Sequence, residues 1–176
     1  MDVAAIQPFG VLGLVCFVGL MIWAAIGDAR TFLIPNELNL LIAISFVVLC
    51  LPMGMALTDV WSHVLVALGV SVVAMILFMI GLYGGGDFKM TGAIALWLGP
   101  APLLPFLFYT ALAGGLLSLT LIVARRLARH YGLPLSPRWL RRLLRRSAGA
   151  PYGIALGIGA VLATPSAVWF PSFTLA

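Results

Sequence analysis

Two aspartates, Asp28 and Asp87, stand in a chain that has only five acidic residues among 176; the others are Asp2, Glu37 and Asp59. Both lie at the margins of long apolar runs. An ionisable group at a membrane edge is costly and marks a functional site. Two carboxylates at one membrane face can share a proton. One then takes a proton from water while the other hydrogen-bonds a carbonyl oxygen. Such a pair supports hydrolysis without a covalent intermediate, and neither a cofactor nor a metal is expected.

Each aspartate has a distinctive neighbourhood. Asp28 is followed by Ala29-Arg30-Thr31-Phe32-Leu33-Ile34-Pro35-Asn36. The plain structural reading is a polar stop at a helix end, with Pro35 holding Ile34 extended and Asn36 capping the next helix. Asp87 follows Gly84-Gly85-Gly86 and precedes Phe88-Lys89. Glycine permits positive φ and close backbone approach, which suits a substrate strand laid against the enzyme. The plain alternative is a flexible turn between helices. Non-helical backbone at membrane depth is tolerated where it is buried or lines a wet cavity.

The elements that must position these acids are membrane helices. The chain is 63% hydrophobic and 9% charged, with a mean hydropathy of +1.17. That excludes an ordinary soluble domain. A single all-α, polytopic membrane domain over residues 1–176 is expected. About 20 apolar residues cross a bilayer as a helix. Spans are predicted at about 8–27, 38–56, 60–82, 88–98, 102–124 and 151–170. The stretch 88–124 would be about 55 Å long as one helix, nearly two bilayer thicknesses. It is therefore divided at the cluster of Gly99, Pro100, Pro102 and Pro105. The short span 88–98 is tolerable only inside the bundle or in thinned lipid.

The charges fit six spans. Eight of the ten basic residues lie between Arg125 and Arg146. Placing that loop in the cytoplasm puts all ten on one side and both termini outside. Asp28 and Asp87 then share the cytoplasmic boundary. A net charge of +5 confined in this way is not the footprint of a nucleic-acid-binding surface, and no nucleic-acid partner is expected. The N-terminus has no basic segment before its apolar run, so the first helix is read as retained rather than as a signal peptide.

Together the two aspartate motifs are more specific than either alone. The chain resembles the type IV prepilin peptidases, the membrane aspartic proteases of the GxGD class. Asp28 with Ile34-Pro35-Asn36 is similar to that family's first signature, and Gly84-Gly85-Gly86-Asp87-Phe88-Lys89 to its second. Pro151-Tyr152-Gly153, opening the last apolar run, is similar to the family's closing segment. Larger members carry an added cytoplasmic segment with four cysteines, associated with N-methylation. The loop between the first two spans is only about ten residues and carries none. The resemblance is therefore to the short form, the Flp/Tad-type prepilin peptidases and archaeal preflagellin peptidases, without methyltransferase activity.

The resemblance implies catalysis by Asp28 and Asp87. It implies substrate positioning by Gly84, Gly85, Gly86, Lys89, Pro35, Asn36, Pro151 and Gly153. It also implies a pilin precursor as substrate, recognised through its leader and the start of its apolar helix. The place is the inner, cytoplasmic membrane, with the site at its cytoplasmic face. An ion- or proton-coupled transporter and a non-catalytic pilus-assembly component are the competing readings. Against the transporter, both acids lie at one face rather than at the midplane.

The remaining features have structural readings. In the segment Arg138 to Arg146, Trp139, Leu140, Leu143 and Leu144 share one helical face and the arginines the other. This predicts a cytoplasmic interfacial helix on anionic lipid, lying away from the leader's path. Arg30 and Lys89 read first as anchors that snorkel to headgroups. His63, near the outer face, and His130, in the basic loop, have no metal-ligand spacing, and Cys16 and Cys50 read as small core residues. Helix dipoles suggest a division of labour. Asp87 opens a helix and is favoured as the anion and base, whereas Asp28 ends one and is favoured as the acid.

Overall fold

The computed structural model describes residues 3–131, 138–144 and 149–170. These residues form α1 (Val3–Thr31), α2 (Asn36–Leu49), α3 (Leu57–Met79), α4 (Gly85–Leu98), α5 (Leu103–His130), α6 (Arg138–Leu143) and α7 (Tyr152–Ala163). A short 3-10 turn, Thr164–Ser166, follows. No strand occurs among the described residues.

The apolar runs become helices of two lengths. α1, α3 and α5 are long and apolar enough to cross a membrane. α2, α4 and α7 have 14, 14 and 12 residues, short for a span. Chain punctuation accounts for the difference. α2 was expected to run to about residue 56 but stops at Leu49, ahead of Pro52 and a left-handed Gly54 at φ +79°. The Gly54 and Met55 amides close onto Leu51 and Cys50 carbonyls there. α3 ends three residues earlier than expected, where Gly81 takes φ +78°. Its amide bonds the Phe78 carbonyl and the Leu82 amide the Leu77 carbonyl, a Schellman closure. The expected break between α4 and α5 falls at Gly99, φ +74°. Pro105 sits in the first turn of α5 without breaking it.

Packing explains how the short helices are housed. Met90, Ile94, Trp97 and Leu98 of α4 are fully buried, and α4 packs on α3, α2 and α7. α7 is held between α5 and α1. Its small residues permit this: a Cβ on Gly157 would lie 3.3 Å from the Met21 carbonyl oxygen, and one on Gly159 would run into Thr110. The core gathers round Trp97, which stacks on Phe17 at 5.1 Å and meets Trp169 and Phe46 edge-on. Its indole N–H donates to the Ile42 carbonyl at 2.7 Å.

The contacts also fix which helix ends meet. The end of α1 meets the start of α7 through Asp28 and Gly153. The starts of α2 and α4 meet through Asn36 and Lys89. The end of α3 stacks Phe78 on Phe88 of α4. Arg125, near the end of α5, bonds the Gly149 carbonyl just before α7. One end of the bundle thus collects both aspartates with Arg30, Lys89 and Arg125.

α6 keeps Leu140, Leu143 and Leu144 partly covered and Trp139 and Arg141 exposed. It packs against α1, where Trp139 lines a small cavity with Ile26, Ala29 and Arg30. The segment therefore lies beside the end of α1 that carries Asp28. The rest of the expected lipid-binding stretch, including Arg145 and Arg146, lies outside the described residues.

Candidate active site

Asp28 sits in the last turn of α1, three residues before its end. Its carbonyl accepts the Phe32 amide at 2.9 Å, and Phe32 then adopts φ +58°. A left-handed residue after a helix turns the chain sharply. Here it turns the chain so that Ile34 is buried while Leu33 and Pro35 stay exposed. Thr31 secures the turn by donating its hydroxyl to the Gly27 carbonyl at 2.8 Å. The Asp28 side chain is only 5% exposed. Its Oδ2 accepts the Gly153 backbone N–H at 2.7 Å. Gly153 is the second residue of α7, so its amide belongs to the unpaired N-terminal donors of that helix.

Asp87 is the third residue of α4. The three glycines before it do not form a flexible turn. Gly84 is the N-cap, at φ −75°, and Gly85 and Gly86 are helical. None of the three has positive φ, so their freedom of conformation is not what the site uses. Close approach is. A Cβ on Gly84 would collide with the Asp87 carboxylate, one on Gly85 would lie 3.3 Å from the Phe78 ring, and one on Gly86 would lie 3.2 Å from Ile34 Cβ.

Ile34 joins the two halves. It is buried. Besides its contact at Gly86, its Cδ1 lies 3.0 Å from where a Gly153 Cβ would be, and that same Cβ would lie 2.9 Å from Asp28 Oδ2. The Ile34 side chain is therefore wedged between the segment that holds Asp28 and the segment that carries Asp87. Asp28 and Asp87 thus stand on either side of one buried apolar side chain.

Two hydroxyls that the sequence did not single out complete the Asp87 side. Thr91, one turn on, donates to the Asp87 carbonyl at 2.8 Å. The Tyr83 phenol bonds Thr91 Oγ1 at 2.8 Å. Burial raises the Tyr83 phenol above its ordinary value, and the neighbouring Asp87 and Tyr152 add to the rise. The available signals were position alone: Tyr83 precedes the glycines directly, and Thr91 stands four residues after Asp87.

The other expected site residues divide. Pro35 is the N-cap of α2 and makes no side-chain cap. Asn36 is the first residue of α2 rather than its cap. Its Oδ1 accepts Lys89 Nζ at 2.8 Å. Lys89 thus ties α4 to α2 and is not simply a headgroup anchor. Pro151 is the N-cap of α7 and sets up the amide that reaches Asp28. His63 lies at the other end of the bundle, fully buried, with Nδ1–H on the Leu96 carbonyl at 2.9 Å. No group of three or more metal-ligating side chains occurs among the described residues. Both cysteines are free.

No curated protein and no solved structure matches the chain. The profile of the type IV leader peptidase family matches residues 15–119, from the middle of α1 into α5, with both aspartates and the glycine run inside it. That match covers more than half the chain, and what its scarce acids and glycines suggested now has a family: the chain belongs to the type IV leader peptidases, which are proteases.

Proposed function

We propose that the protein is a membrane aspartic endopeptidase of the short, Flp/Tad type. It removes the leader from a pilin precursor at the cytoplasmic face of the inner membrane. Six crossings are proposed, the short helices α2, α4 and α7 crossing within the shelter of α1, α3 and α5. Both termini then lie outside, and no methyltransferase activity is expected. The observation that carries the reading is that the segments holding Asp28 and Asp87 close on the same buried side chain, Ile34, at one end of the bundle. Basic residues at that end, including Arg30, Lys89 and Arg125, support its cytoplasmic placement.

In the proposed reaction water attacks the peptide carbonyl between the two aspartates. The amide that reaches Asp28 favours the opposite division of roles from the one helix ends alone suggest. Asp28 does end α1, but it also accepts an amide from the N-terminus of α7. A donated N–H favours the anion, so Asp28 is assigned as the resting base. Asp87 opens α4, and no hydrogen bond is donated to its carboxylate among the described residues. It is assigned as the acid that hydrogen-bonds the carbonyl oxygen and stabilises the developing charge. Gly84 keeps space beside its carboxyl, and Gly153 positions Asp28.

The test is cleavage of a purified Flp-type pilin precursor by the protein in proteoliposomes. The native chain should release the leader, and Asp28→Asn should abolish release while remaining folded. Full cleavage by folded Asp28→Asn and Asp87→Asn variants would exclude the aspartic mechanism. A native chain that never cleaves would leave the non-catalytic or transporter readings standing.

A further inference from the structure

An apolar groove of about 650 Å³ runs along α3 beside α4 and α5. Val66, Val70, Val73 and Leu77 form one wall and Leu103 and Leu107 part of another. From Val66 to Leu77 is eleven helical steps, about 16 Å. At one end the lining changes character: it is closed by Tyr83 and Thr91. These are the hydroxyls that bond each other, with Thr91 also bonded to the Asp87 carbonyl. The groove is thus continuous with the Asp87 half of the candidate site. It also carries a gap of the kind that admits another helix. Gly69 lines it, and a Cβ there would meet nothing within 4 Å. Small residues on a membrane helix let a partner helix approach closely.

We propose that this groove seats the apolar helix of the precursor, so that the peptide bond just ahead of that helix emerges at Tyr83 and Thr91 beside Asp87. The proposal rests on the leader-peptidase reading. A helix entering from the α3–α5 side would be held by apolar contact along about three turns. Its unwound first residues would meet the polar end of the groove, where backbone freed from helical bonding finds hydroxyl partners. The groove therefore selects substrates by the apolar segment after the cleavage point, and the aspartates select nothing beyond an extended peptide.

Two measurements test this with the full chain in proteoliposomes. First, Gly69→Leu fills the groove without a backbone clash and favours the helix. It should lower kcat/KM for full-length precursor at least tenfold, mainly through KM, while Gly19→Leu, which also meets open space but on α1 away from the groove, stays within twofold of native. Second, a photo-crosslinking residue at Val70 or Leu107, in an Asp28→Asn background, should trap the precursor through its apolar helix. The same residue at Val47, exposed on α2, should not. If the native chain cleaves precursor but Gly69→Leu is unimpaired, or the Val70 and Leu107 probes capture only lipid, the groove is not the docking site and the peptidase reading survives. If the native chain cleaves no precursor, the peptidase reading falls and this proposal with it.

Discussion

A carboxylate and a carboxylic acid do different work, and the roles proposed for Asp28 and Asp87 differ accordingly. An asparagine can imitate a neutral acid that donates a hydrogen bond but cannot accept a proton from water. Asp87→Asn is therefore expected to retain measurably more cleavage than Asp28→Asn, which should lose at least 10³-fold in kcat, within the range of general-base loss. Equal loss in folded variants would sink the assignment. Gly153→Ala should cut kcat sharply with little change in KM, since its methyl would press on both Asp28 and Ile34. The two aspartates were legible in the sequence because acids are so scarce in it. The amide on Asp28 was not, because a backbone donor 125 positions away leaves no mark in side-chain type.

Helices were legible in number and order, and less so in length. Apolar runs give the number, and Gly99-Pro100 announced the break between α4 and α5. The early end of α2 was missed because Leu51, Met53 and Met55 are as apolar as a span. Only Pro52 and Gly54 betray the turn, and Met53 and Met55 are buried in the loop itself. Asn36 was misread because a capping residue type stood one place inside the helix. The structure uses its oxygen for Lys89 instead. The α3–α4 pair is pinned at two levels. Phe78 stacks on Phe88 at 5.3 Å near the aspartates. At the far end His63 bonds Leu96 and stacks on Phe46 at 5.4 Å, with its ring against Gly99. Truncating a fully buried ring costs about 2–4 kcal/mol. His63→Ala should lower stability by that amount in a thermal or denaturant assay in detergent. It should leave kcat per folded molecule near native, because the change lies at the opposite end of α4 from Asp87. A selective loss of kcat would instead mean that the far pin controls the dyad.

At the scale of the whole molecule, function depends on which end of the bundle faces the cytoplasm. The end-to-end pairings put Asp28, Asp87, Arg30, Lys89 and Arg125 together. The turn between α2 and α3 belongs to the opposite end. Basic residues at one end and their scarcity at the other give the orientation a driving force during insertion. Cysteine labelling in intact cells checks it, in a chain whose Cys16 and Cys50 are replaced by Ala. Leu51→Cys, exposed in the α2–α3 turn, should react with a membrane-impermeant maleimide. Tyr131→Cys, exposed after α5, should react only once the cells are permeabilised. The reverse pattern would set the carboxyls on the outer face. The precursor proposed as substrate, with its leader in the cytoplasm, could not reach them there, so under that reading orientation and activity stand or fall together. Removing positive charge supplies an independent check: changing Arg125, Arg126 and Arg129 to Gln should weaken the labelling contrast and cleavage in parallel, since mis-inserted chains present the dyad to the wrong compartment.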